Sequence, residues 1–330
     1  MMLNDSTILI TGGTGSFGKA FTQRTLQKFS PKKIIIYSRD EMKQFEMAAE
    51  FGHESRVRYL LGDVREPERL ARALHGVDFV VHAAALKIIP SAEYNPFEVV
   101  KTNVLGAMNV IDAAINQGVK KIVALSTDKA SRPINLYGAT KLTSDRLFIS
   151  GNHYASGLDT RFSVVRYGNV MGSRGSVIPV FLRQRDGGVL TITDERMTRF
   201  MITLDQAVEL VWRAFDDMVG GETYVPKIPS MNILDIARCV APEARHEYIG
   251  IRPGEKIHEQ LIGAEESAFT YEYEDYFKIL PLINSWHSDP HRIKNGKGIE
   301  ENFVYSSDTN TEWLPEETFS AWLARYCNRH

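Results

Sequence analysis

A short apolar strand that runs into a glycine-rich turn constrains the fold of this chain more than any other feature. The run from Thr7 to Thr11 is followed by the sequence GGTGSFG and by an amphipathic stretch from Lys19 to Phe29. This order predicts a strand, a tight turn and a helix. Gly12 permits the turn, Gly15 lets a pyrophosphate approach the backbone, and Gly18 lets the helix pack closely on the strand. The pattern therefore predicts a dinucleotide site at the helix N-terminus.

The same strand-helix unit recurs through the first half of the chain. Further apolar runs predict strands at Lys33 to Tyr37, Val57 to Leu61, Phe79 to His82 and Ile122 to Leu125. Helical patterns lie between them at Glu41 to Phe51, Glu66 to Leu74 and Phe97 to Asn116. This alternation predicts a parallel sheet that is covered on both faces and has right-handed crossovers. We therefore expect an α/β fold: a Rossmann-type doubly wound parallel sheet with a smaller, mixed α/β C-terminal substrate-binding lobe.

The regular alternation ends midway through the chain, which suggests two lobes. We expect residues 1–167 to form the dinucleotide-binding domain, and residues 168–203 and 223–330 to form the substrate-binding lobe. Residues 204–222 should pack back on the first domain, because Asp205 to Met218 carries an apolar stripe at helical spacing. A chain of 330 residues with 43% hydrophobic content can bury a core of this size.

In parallel sheets of this kind ligands bind beyond the carboxyl ends of the strands, so several loops should converge on one crevice. The chain has glycine, polar and small residues at each of these loop positions. The residues that we expect to bind the dinucleotide are Gly12, Thr14, Gly15, Ser16, Phe17, Gly18, Ser38, Arg39, Lys43, Asp63, Val64, Ala83, Ala84, Ala85, Lys87, Thr102, Asn103, Tyr137 and Lys141.

The end of the second strand indicates which nicotinamide cofactor is bound. NAD enzymes usually place an acidic residue there for the ribose 2′-hydroxyl, whereas this chain has Ser38. Arg39 and Lys43 follow, and both can hold the 2′-phosphate of NADP. Alternatively, Arg39 and Lys43 are ordinary solvated charges and Asp40 binds the ribose. We expect NADP.

Two short segments carry the groups that could perform chemistry. Tyr137 and Lys141 are four residues apart and share one helix face. A free tyrosine titrates near pH ~10, and a nearby fixed positive charge favours its phenolate form. Such a pair also occurs by chance on ordinary helices. Asp128 and Lys129 lie just upstream, so a redox step and an elimination could share one site.

Composition excludes several other classes of protein. The net charge of −2 gives no general attraction to nucleic acid or anionic lipid. The two cysteines, Cys239 and Cys327, argue against a disulfide framework, and the histidines and cysteines show no metal-ligand spacing. We see no secretory leader and no apolar run of the ~20 residues that span a bilayer. We expect a cytoplasmic enzyme with no bound metal and with no nucleic-acid or membrane partner.

The TGGTGSFG and YGATK motifs together resemble the extended short-chain dehydrogenase/reductase family, whose members mostly modify nucleotide sugars. Within that family the chain is similar to the soluble UDP-N-acetylglucosamine 4,6-dehydratases that invert C5, the enzymes of pseudaminic acid biosynthesis and its close relatives. The similar segments are Thr127 to Lys129, Leu136 to Lys141, Arg166 to Val170, Met197 to Phe200, Val225 to Met231 and Arg252 to Lys256. Two residues depart from that pattern: Met201 stands where tryptophan is expected, and Arg132 replaces a smaller polar residue.

The resemblance implies a reaction in which C4 of the sugar is oxidised, water leaves from C6, and hydride returns to C6. It assigns Tyr137, assisted by Lys141 and Thr127, to the C4 hydroxyl, and it assigns Lys129 as the C5 base and Asp128 as the acid. We expect burial and the Lys141 charge to lower the pKa of Lys129, which a base requires. The alternative is that Asp128 and Lys129 form a loop salt bridge.

The resemblance also implies a substrate, UDP-N-acetylglucosamine, and a homo-oligomer. Residues expected to bind the substrate are Lys87, Tyr167, Asn169, Arg174, Arg199, Arg252 and Glu255. Inversion at C5 is implied because relatives that retain the configuration have glutamate in place of Lys129, and membrane-bound relatives have methionine in place of Tyr137. The remaining alternatives are a UDP-sugar 4-epimerase, a C5-retaining dehydratase, a reductase that consumes free NADPH, and a non-catalytic NADPH-sensing regulator.

Overall fold

The computed structural model describes residues 2–52, 54–173 and 175–328. The strands are β1 (Thr7–Thr11), β2 (Lys33–Ser38), β3 (Val57–Leu61), β4 (Phe79–His82), β5 (Lys121–Leu125), β6 (Arg161–Val165), β7 (Asn169–Val170), β8 (Val189–Ile192), β9 (Thr198–Ile202), β10 (Thr223–Pro226), β11 (Ser230–Asn232), β12 (Arg245–Tyr248), β13 (Gln260–Ile262), β14 (Thr270–Glu272), β15 (Tyr276–Ile279), β16 (Lys297–Gly298) and β17 (Tyr305–Ser306).

The α-helices are α1 (Ser16–Lys28), α2 (Glu41–Glu50), α3 (Pro67–Ala73), α4 (Ile89–Tyr94), α5 (Pro96–Val100), α6 (Gly106–Gln117), α7 (Leu136–Tyr154), α8 (Val177–Arg185), α9 (Leu204–Asp217), α10 (Ile233–Val240), α11 (Ala264–Ser267), α12 (Pro290–Ile293) and α13 (Glu316–Cys327). A π-helical turn at Lys101–Leu105 joins α5 to α6, and 3₁₀ turns occupy Asp128–Ala130 and Ile283–Ser288.

A ten-stranded sheet in the order β16-β14-β15-β10-β6-β5-β4-β1-β2-β3 forms the centre of the molecule. The strands from β3 to β10 in this order pair in parallel, whereas β15, β14 and β16 add antiparallel pairs at one edge. The predicted Rossmann-type α/β sheet is therefore confirmed. In such a sheet the carboxyl ends of the parallel strands share one edge, and that edge positions the site.

Both faces of the sheet are buried, as parallel sheets require. Ile8 and Ile10 of β1 pack with Phe21 of α1 on one face. Leu9, between them in sequence, packs on the opposite face in a separate cluster. This alternation follows from the twofold side-chain period of a strand.

In the part of the chain that the structure describes, no helix is both long and apolar enough to cross a bilayer.

The C-terminal half does not form a wholly separate lobe. Strand β10 pairs in parallel with β6, where Thr223 lies opposite Val164, and β14, β15 and β16 extend the same sheet. Parts of the predicted lobe 223–330 thus belong to the central sheet. In the segment 204–222, helix α9 packs on α1, and Trp212 Nε1 donates a hydrogen bond to Thr25 Oγ1 at 3.1 Å.

A smaller unit stands beyond the carboxyl edge of the central sheet. It contains a three-stranded sheet, β11-β9-β7, and the parallel pair β12-β8. Helices α8, α10 and α13 share its apolar core, to which Phe181, Ile236 and Phe319 contribute. Strand β7 follows closely on β6 and pairs with β9, so this unit begins at the carboxyl edge of the central sheet.

Candidate active site

The glycine-rich turn brings backbone atoms closer together than any side chain would allow. Gly12 has φ +65°, and a Cβ added there would lie 2.9 Å from the backbone of Ala84. A Cβ on Gly18 would lie 2.2 Å from the carbonyl oxygen of Gly13. No side chain caps α1 after Gly15, and its first turn contains no acidic residue. The free N–H groups and the helix dipole therefore fit a pyrophosphate.

A cavity of about 780 Å³ lies in front of this turn, along the carboxyl edge of the sheet. Every residue predicted to bind the dinucleotide lines this cavity except Asn103. The Asn103 side chain is buried and bonds to the backbone N–H and carbonyl of Leu86, each at 2.9 Å, and to Thr140 Oγ1 at 3.1 Å. Asn103 therefore holds the loop that carries Lys87, and its side chain is not a wall of the cavity.

The end of β2 forms the rim of the cavity. Ser38 Oγ lies 3.0 Å from Thr14 Oγ1, and the Arg39 guanidinium lies 3.4 Å from the Asp63 carboxylate. Asp40 caps α2 by accepting a hydrogen bond from the Lys43 N–H at 3.0 Å, and its carboxylate also pairs with the Lys43 ammonium at 2.6 Å. Asp40, Arg39 and Lys43 all line the cavity, with exposed side-chain fractions of 39%, 50% and 44%.

Helix α7 places the Tyr137 phenol and the Lys141 ammonium in the wall of the cavity. Asn135 caps the helix by accepting a hydrogen bond from the Gly138 N–H at 2.7 Å. Burial raises the pKa of Tyr137 to about 12, while the Lys129 charge and a hydrogen bond with Thr127 act in the opposite direction. Burial of the phenol therefore opposes the phenolate form that a nearby positive charge favours.

Lys129 lies between two carboxylates. Its ammonium is 3.0 Å from Asp128 Oδ1 and 3.1 Å from Glu259 Oε1, and Asp128 Oδ1 also accepts a hydrogen bond from Thr127 Oγ1 at 2.9 Å. Burial disfavours the ammonium, but the two carboxylates outweigh burial and raise the pKa of Lys129 above its ordinary value. The expectation of a lowered pKa is wrong, and Glu259 is the residue that the prediction omitted.

The ion pair considered as an alternative for Asp128 and Lys129 is present, and it does not remove the two side chains from the site. Asp128, Lys129 and Thr127 all line the cavity together with Tyr137 and Lys141. The redox pair and the acid-base pair predicted from the sequence therefore face one volume.

The segment of residues 252–259 is tied to the turn of residues 127–131, which carries the predicted acid and base and is called the catalytic turn below. Asn135 Nδ2 donates to the carbonyl of Gly254 at 2.7 Å, and the Lys256 ammonium donates to the carbonyl of Ser131 at 2.7 Å. Glu255 lines the cavity and pairs with Arg252 at 2.7 Å. Docking of this segment is what brings Glu259 to Lys129.

Most of the residues predicted to bind the substrate line the cavity, whereas Arg174 and Arg199 are separate cases. Lys87, Tyr167, Asn169, Arg252 and Glu255 line the cavity. Arg174 lies outside the described residues, so the prediction stands without a structural account.

Arg199 does not line the cavity, contrary to its predicted grip on the nucleotide diphosphate. Its guanidinium donates to the carbonyls of Thr198, Ile257 and Lys256 at 2.7, 2.8 and 3.0 Å. These bonds involve both terminal nitrogens of the guanidinium, and they fix the segment that carries Glu259. Arg199 therefore stabilises the backbone next to the site and does not form part of the cavity wall.

Part of the cavity wall was not singled out from the sequence. These residues are small or apolar and belong to loops or to the first turns of α4 and α9, so neither spacing nor charge marks them. They include Ile88, Ile89, Pro90, Ser173, Ser176 and Leu204.

The two departures from the family pattern have different settings. Met201 is buried in the core of the smaller unit and does not line the cavity. Arg132 is exposed in the loop between the catalytic turn and α7, with φ +45°. This left-handed conformation is unfavourable for a residue with a side chain.

A family model described as polysaccharide biosynthesis protein matches residues 8–281. The chain belongs to the polysaccharide biosynthesis protein family. A relative from Campylobacter jejuni named UDP-N-acetylglucosamine 4,6-dehydratase (inverting) is 54% identical over 323 residues, which cover 96% of this chain and 96% of the relative. Pen from Bacillus thuringiensis, known from an X-ray structure, is 40% identical with a TM-score of 0.90, and the match covers 99% of both chains.

Relatives within the polysaccharide biosynthesis protein family do not all carry the same name. A Rickettsia conorii protein named UDP-glucose 4-epimerase is 44% identical over 286 residues, which cover 84% of this chain and 84% of that protein.

The predicted resemblance to extended short-chain dehydrogenase/reductases, and within them to the inverting 4,6-dehydratases, is confirmed. The predicted enzyme class, a hydro-lyase, is that of the Campylobacter relatives.

Gly138 provides a test of how closely α7 must approach the catalytic turn. A Cβ added to Gly138 would lie 2.2 Å from the carbonyl oxygen of Lys129. We expect Gly138→Ala to lower the free energy of unfolding by about 1–3 kcal/mol, because the backbone of one element must move. Chemical denaturation measures this loss. Ala139→Ser changes the next, exposed residue and should stay near wild type; an equal loss in both variants would contradict the contact.

Proposed function

We propose that this protein is a cytoplasmic, NADP-dependent UDP-N-acetylglucosamine 4,6-dehydratase that inverts C5. The product would be UDP-2-acetamido-2,6-dideoxy-β-L-arabino-hexos-4-ulose, which begins the biosynthesis of pseudaminic acid or a related 6-deoxy sugar. One observation carries the proposal: Tyr137 and Lys141 line the same cavity as Asp128 and Lys129. The named Campylobacter relatives support the substrate and the stereochemistry.

The residues fit the first chemical step. Tyr137 would take the proton of the C4 hydroxyl, and the nearby Thr127 side chain favours the phenolate form of Tyr137. A nicotinamide held in the cavity would supply the acceptor for the C4 hydride and its donor to C6, and its positive charge would favour the Tyr137 phenolate. Lys141 lies on the same helix face; burial lowers its pKa, and the nearby Asp145 carboxylate acts in the opposite direction. A carbonyl at C4 then makes the C5 proton acidic.

The elimination requires a base and an acid, and the Asp128–Lys129 pair can supply both. Transfer of one proton along their 3.0 Å hydrogen bond would give a neutral Lys129 amine and a protonated Asp128. The amine can then accept the C5 proton, and Asp128 can protonate the departing C6 hydroxyl. After water leaves, Lys129 is an ammonium and Asp128 a carboxylate again. When hydride returns to C6, C5 must take up one proton; the Tyr137 phenol, which holds the proton from the C4 hydroxyl, would supply it and become a phenolate again.

The cavity also fits a nucleotide diphosphate sugar. The pyrophosphate of the dinucleotide would lie at the N-terminus of α1, and the exposed cations Arg39 and Lys43 would hold the 2′-phosphate of NADP. At the other end, Lys87 and Arg252 line the cavity and could neutralise the UDP diphosphate. Substrate and cofactor would thus meet at Tyr137.

A UDP-sugar 4-epimerase is the second candidate, because Rickettsia relatives carry that name. An epimerase shares the need for Tyr137 and Lys141, since it also oxidises C4. It removes no water, so it has no use for an acid and a base at C6 and C5. The placement of Asp128 and Lys129 in the cavity favours the dehydratase.

Product analysis tests the proposed reaction. Incubation of the purified protein with UDP-N-acetylglucosamine should give a product that has lost one water, with no net change in the nicotinamide absorbance. Proton NMR in deuterated buffer should show the L-arabino 4-keto sugar as the first species. A D-xylo product would contradict inversion, and UDP-N-acetylgalactosamine would indicate the epimerase.

A variant of the base identifies the step at which Lys129 acts. Lys129→Met should bind NADP normally and lower product formation by about 10²–10⁴-fold, since general base catalysis contributes about this much. Reduced nicotinamide should still form on the enzyme after substrate is added. Turnover near the wild-type rate would show that another group removes the C5 proton.

The cofactor assignment depends on the cations at the rim. Arg39→Ala should weaken NADP binding by about tenfold or more, because a charge-assisted bond to phosphate contributes about 1.5–3 kcal/mol. NAD affinity should change little, and calorimetric titration measures both. Arg58→Ala removes an exposed arginine from β3 outside the cavity and serves as the control. A wild-type protein that binds NAD more tightly would overturn the assignment.

We also propose that the protein is a homo-oligomer, with the outer face of α5 and α6 as the contact between copies. Phe97 and Met108 on this face are 79% and 42% exposed, and Leu105 between them is 46% exposed. Contiguous apolar surface of this kind indicates a protein interface. Sedimentation should give an oligomer for the wild type and smaller species for Phe97→Glu. Tyr248→Glu, on the smaller unit, should leave the assembly unchanged; a monomeric wild type would contradict the proposal.

A further inference from the structure

Glu259 is buried beside the catalytic turn, and its backbone is fixed on both sides. Its N–H donates to Ser307 Oγ at 2.9 Å, and its carbonyl accepts from the Ser307 N–H at 2.8 Å. The side chain is about 3% exposed and does not line the cavity. Glu259 therefore does not contact a substrate in the cavity. Its carboxylate lies within hydrogen-bond distance of Lys129, which lines the cavity.

The Lys129 ammonium contacts the carboxylates of both Glu259 and Asp128. The distances are 3.1 Å to Glu259 Oε1 and 3.0 Å to Asp128 Oδ1. The second oxygens, Glu259 Oε2 and Asp128 Oδ2, are buried and have no hydrogen-bond partner among the described residues. Two buried carboxylates thus share one ammonium. Leaving a buried charge without its partner is costly, so each member of the group constrains the other two.

We propose that Glu259 is a positioning residue for the dehydration step: its carboxylate fixes the Lys129 ammonium beside Asp128 and restrains the release of its proton. The inference rests on the proposed function for its consequence in catalysis. Arg199 supports this arrangement, because its bonds to the carbonyls of Lys256 and Ile257 hold the segment that ends at Glu259.

The charges that face Lys129 come from several elements. Asp128 precedes it in the turn and Glu259 approaches from the segment before β13; both raise the pKa of Lys129. The groups acting electrostatically with Lys129 from other elements are Arg199 on β9, Lys87 in the loop after β4, Lys256 in the segment before β13 and Tyr137 on α7. Removing Glu259 leaves one carboxylate against several cations, so Lys129 should lose its proton at lower pH.

Direct titration of Lys129 tests the charge contact without any substrate. NMR of ¹⁵N-labelled lysine side chains, assigned with Lys129→Met, should show the Lys129 midpoint of Glu259→Gln about 1–3 pH units below that of the wild type. Glu265→Gln removes an exposed carboxylate from the nearby helix α11 and should leave the midpoint unchanged. A midpoint that is the same in Glu259→Gln and the wild type would overturn the proposal.

Kinetics then test the positioning role. Because Glu259 does not touch the cavity, Glu259→Gln should change KM little and lower kcat by about tenfold or more near neutral pH, with the acid limb of the kcat profile moved to lower pH. Glu259→Asp, which keeps the charge on a shorter side chain, should recover part of the loss. A uniform loss with an unchanged pH profile would indicate a purely structural role and contradict the inference.

The two proposals fail in different ways. A wild-type protein that forms no 4-keto-6-deoxy sugar would reject the proposed function, while the Lys129 midpoint would still report on Glu259. A wild type that dehydrates its substrate while Glu259→Gln matches it in both midpoint and pH profile would reject the inference about Glu259 alone.

Discussion

Parallel pairing of the central strands is the constraint on which the site depends. Because β1, β4, β5 and β6 run in one direction, the loops that follow them open at the same edge of the sheet. The glycine-rich turn follows β1, Lys87 follows β4, and the catalytic turn follows β5. A sheet with one of these strands reversed would carry its loop to the opposite edge, and the cavity would lose one wall.

Close backbone contacts convert this shared edge into a defined geometry. Gly18 lets α1 pack on the turn before it, and Gly138 lets α7 pack on the carbonyl of Lys129. The second contact sets the distance between the redox phenol and the acid-base pair, since Tyr137 and Lys129 belong to the two elements that it joins. Precision at the site therefore comes from positions that have no side chain at all.

Local patterns in the sequence were sufficient for the fold and for most of the cavity. The strand bounds follow from β-branched runs, and Val57–Leu61 and Phe79–His82 match the prediction residue for residue. The helix predicted at Phe97 to Asn116 is instead α5, a π-helical turn and α6, and α4 before it was missed. The run around α4 is short and contains a proline, so its periodicity is weak.

The errors at the site have a common physical origin. Arg199 and Glu259 are far from the catalytic turn in sequence, and their roles depend on docking of residues 252–259 against residues 128–135. A motif shows that an arginine is present, but it does not show which acceptors its N–H groups bond to. For the same reason the pKa of Lys129 was expected to fall, since burial could be inferred from the sequence and the second carboxylate could not.

The charge balance around Lys129 bears directly on the choice between dehydratase and epimerase. Burying two carboxylates and a lysine beside a sugar site is unfavourable unless the group is used or fully paired. Here the pairing is incomplete, because one oxygen of Asp128 and one of Glu259 have no hydrogen-bond partner in the part of the chain that the structure describes. An enzyme that only moves hydride to and from C4 would gain nothing from that arrangement. A dehydratase must give one proton to the C6 oxygen and take another from C5, and an ion-paired carboxylate and lysine that line the same cavity as Tyr137 suit this reaction.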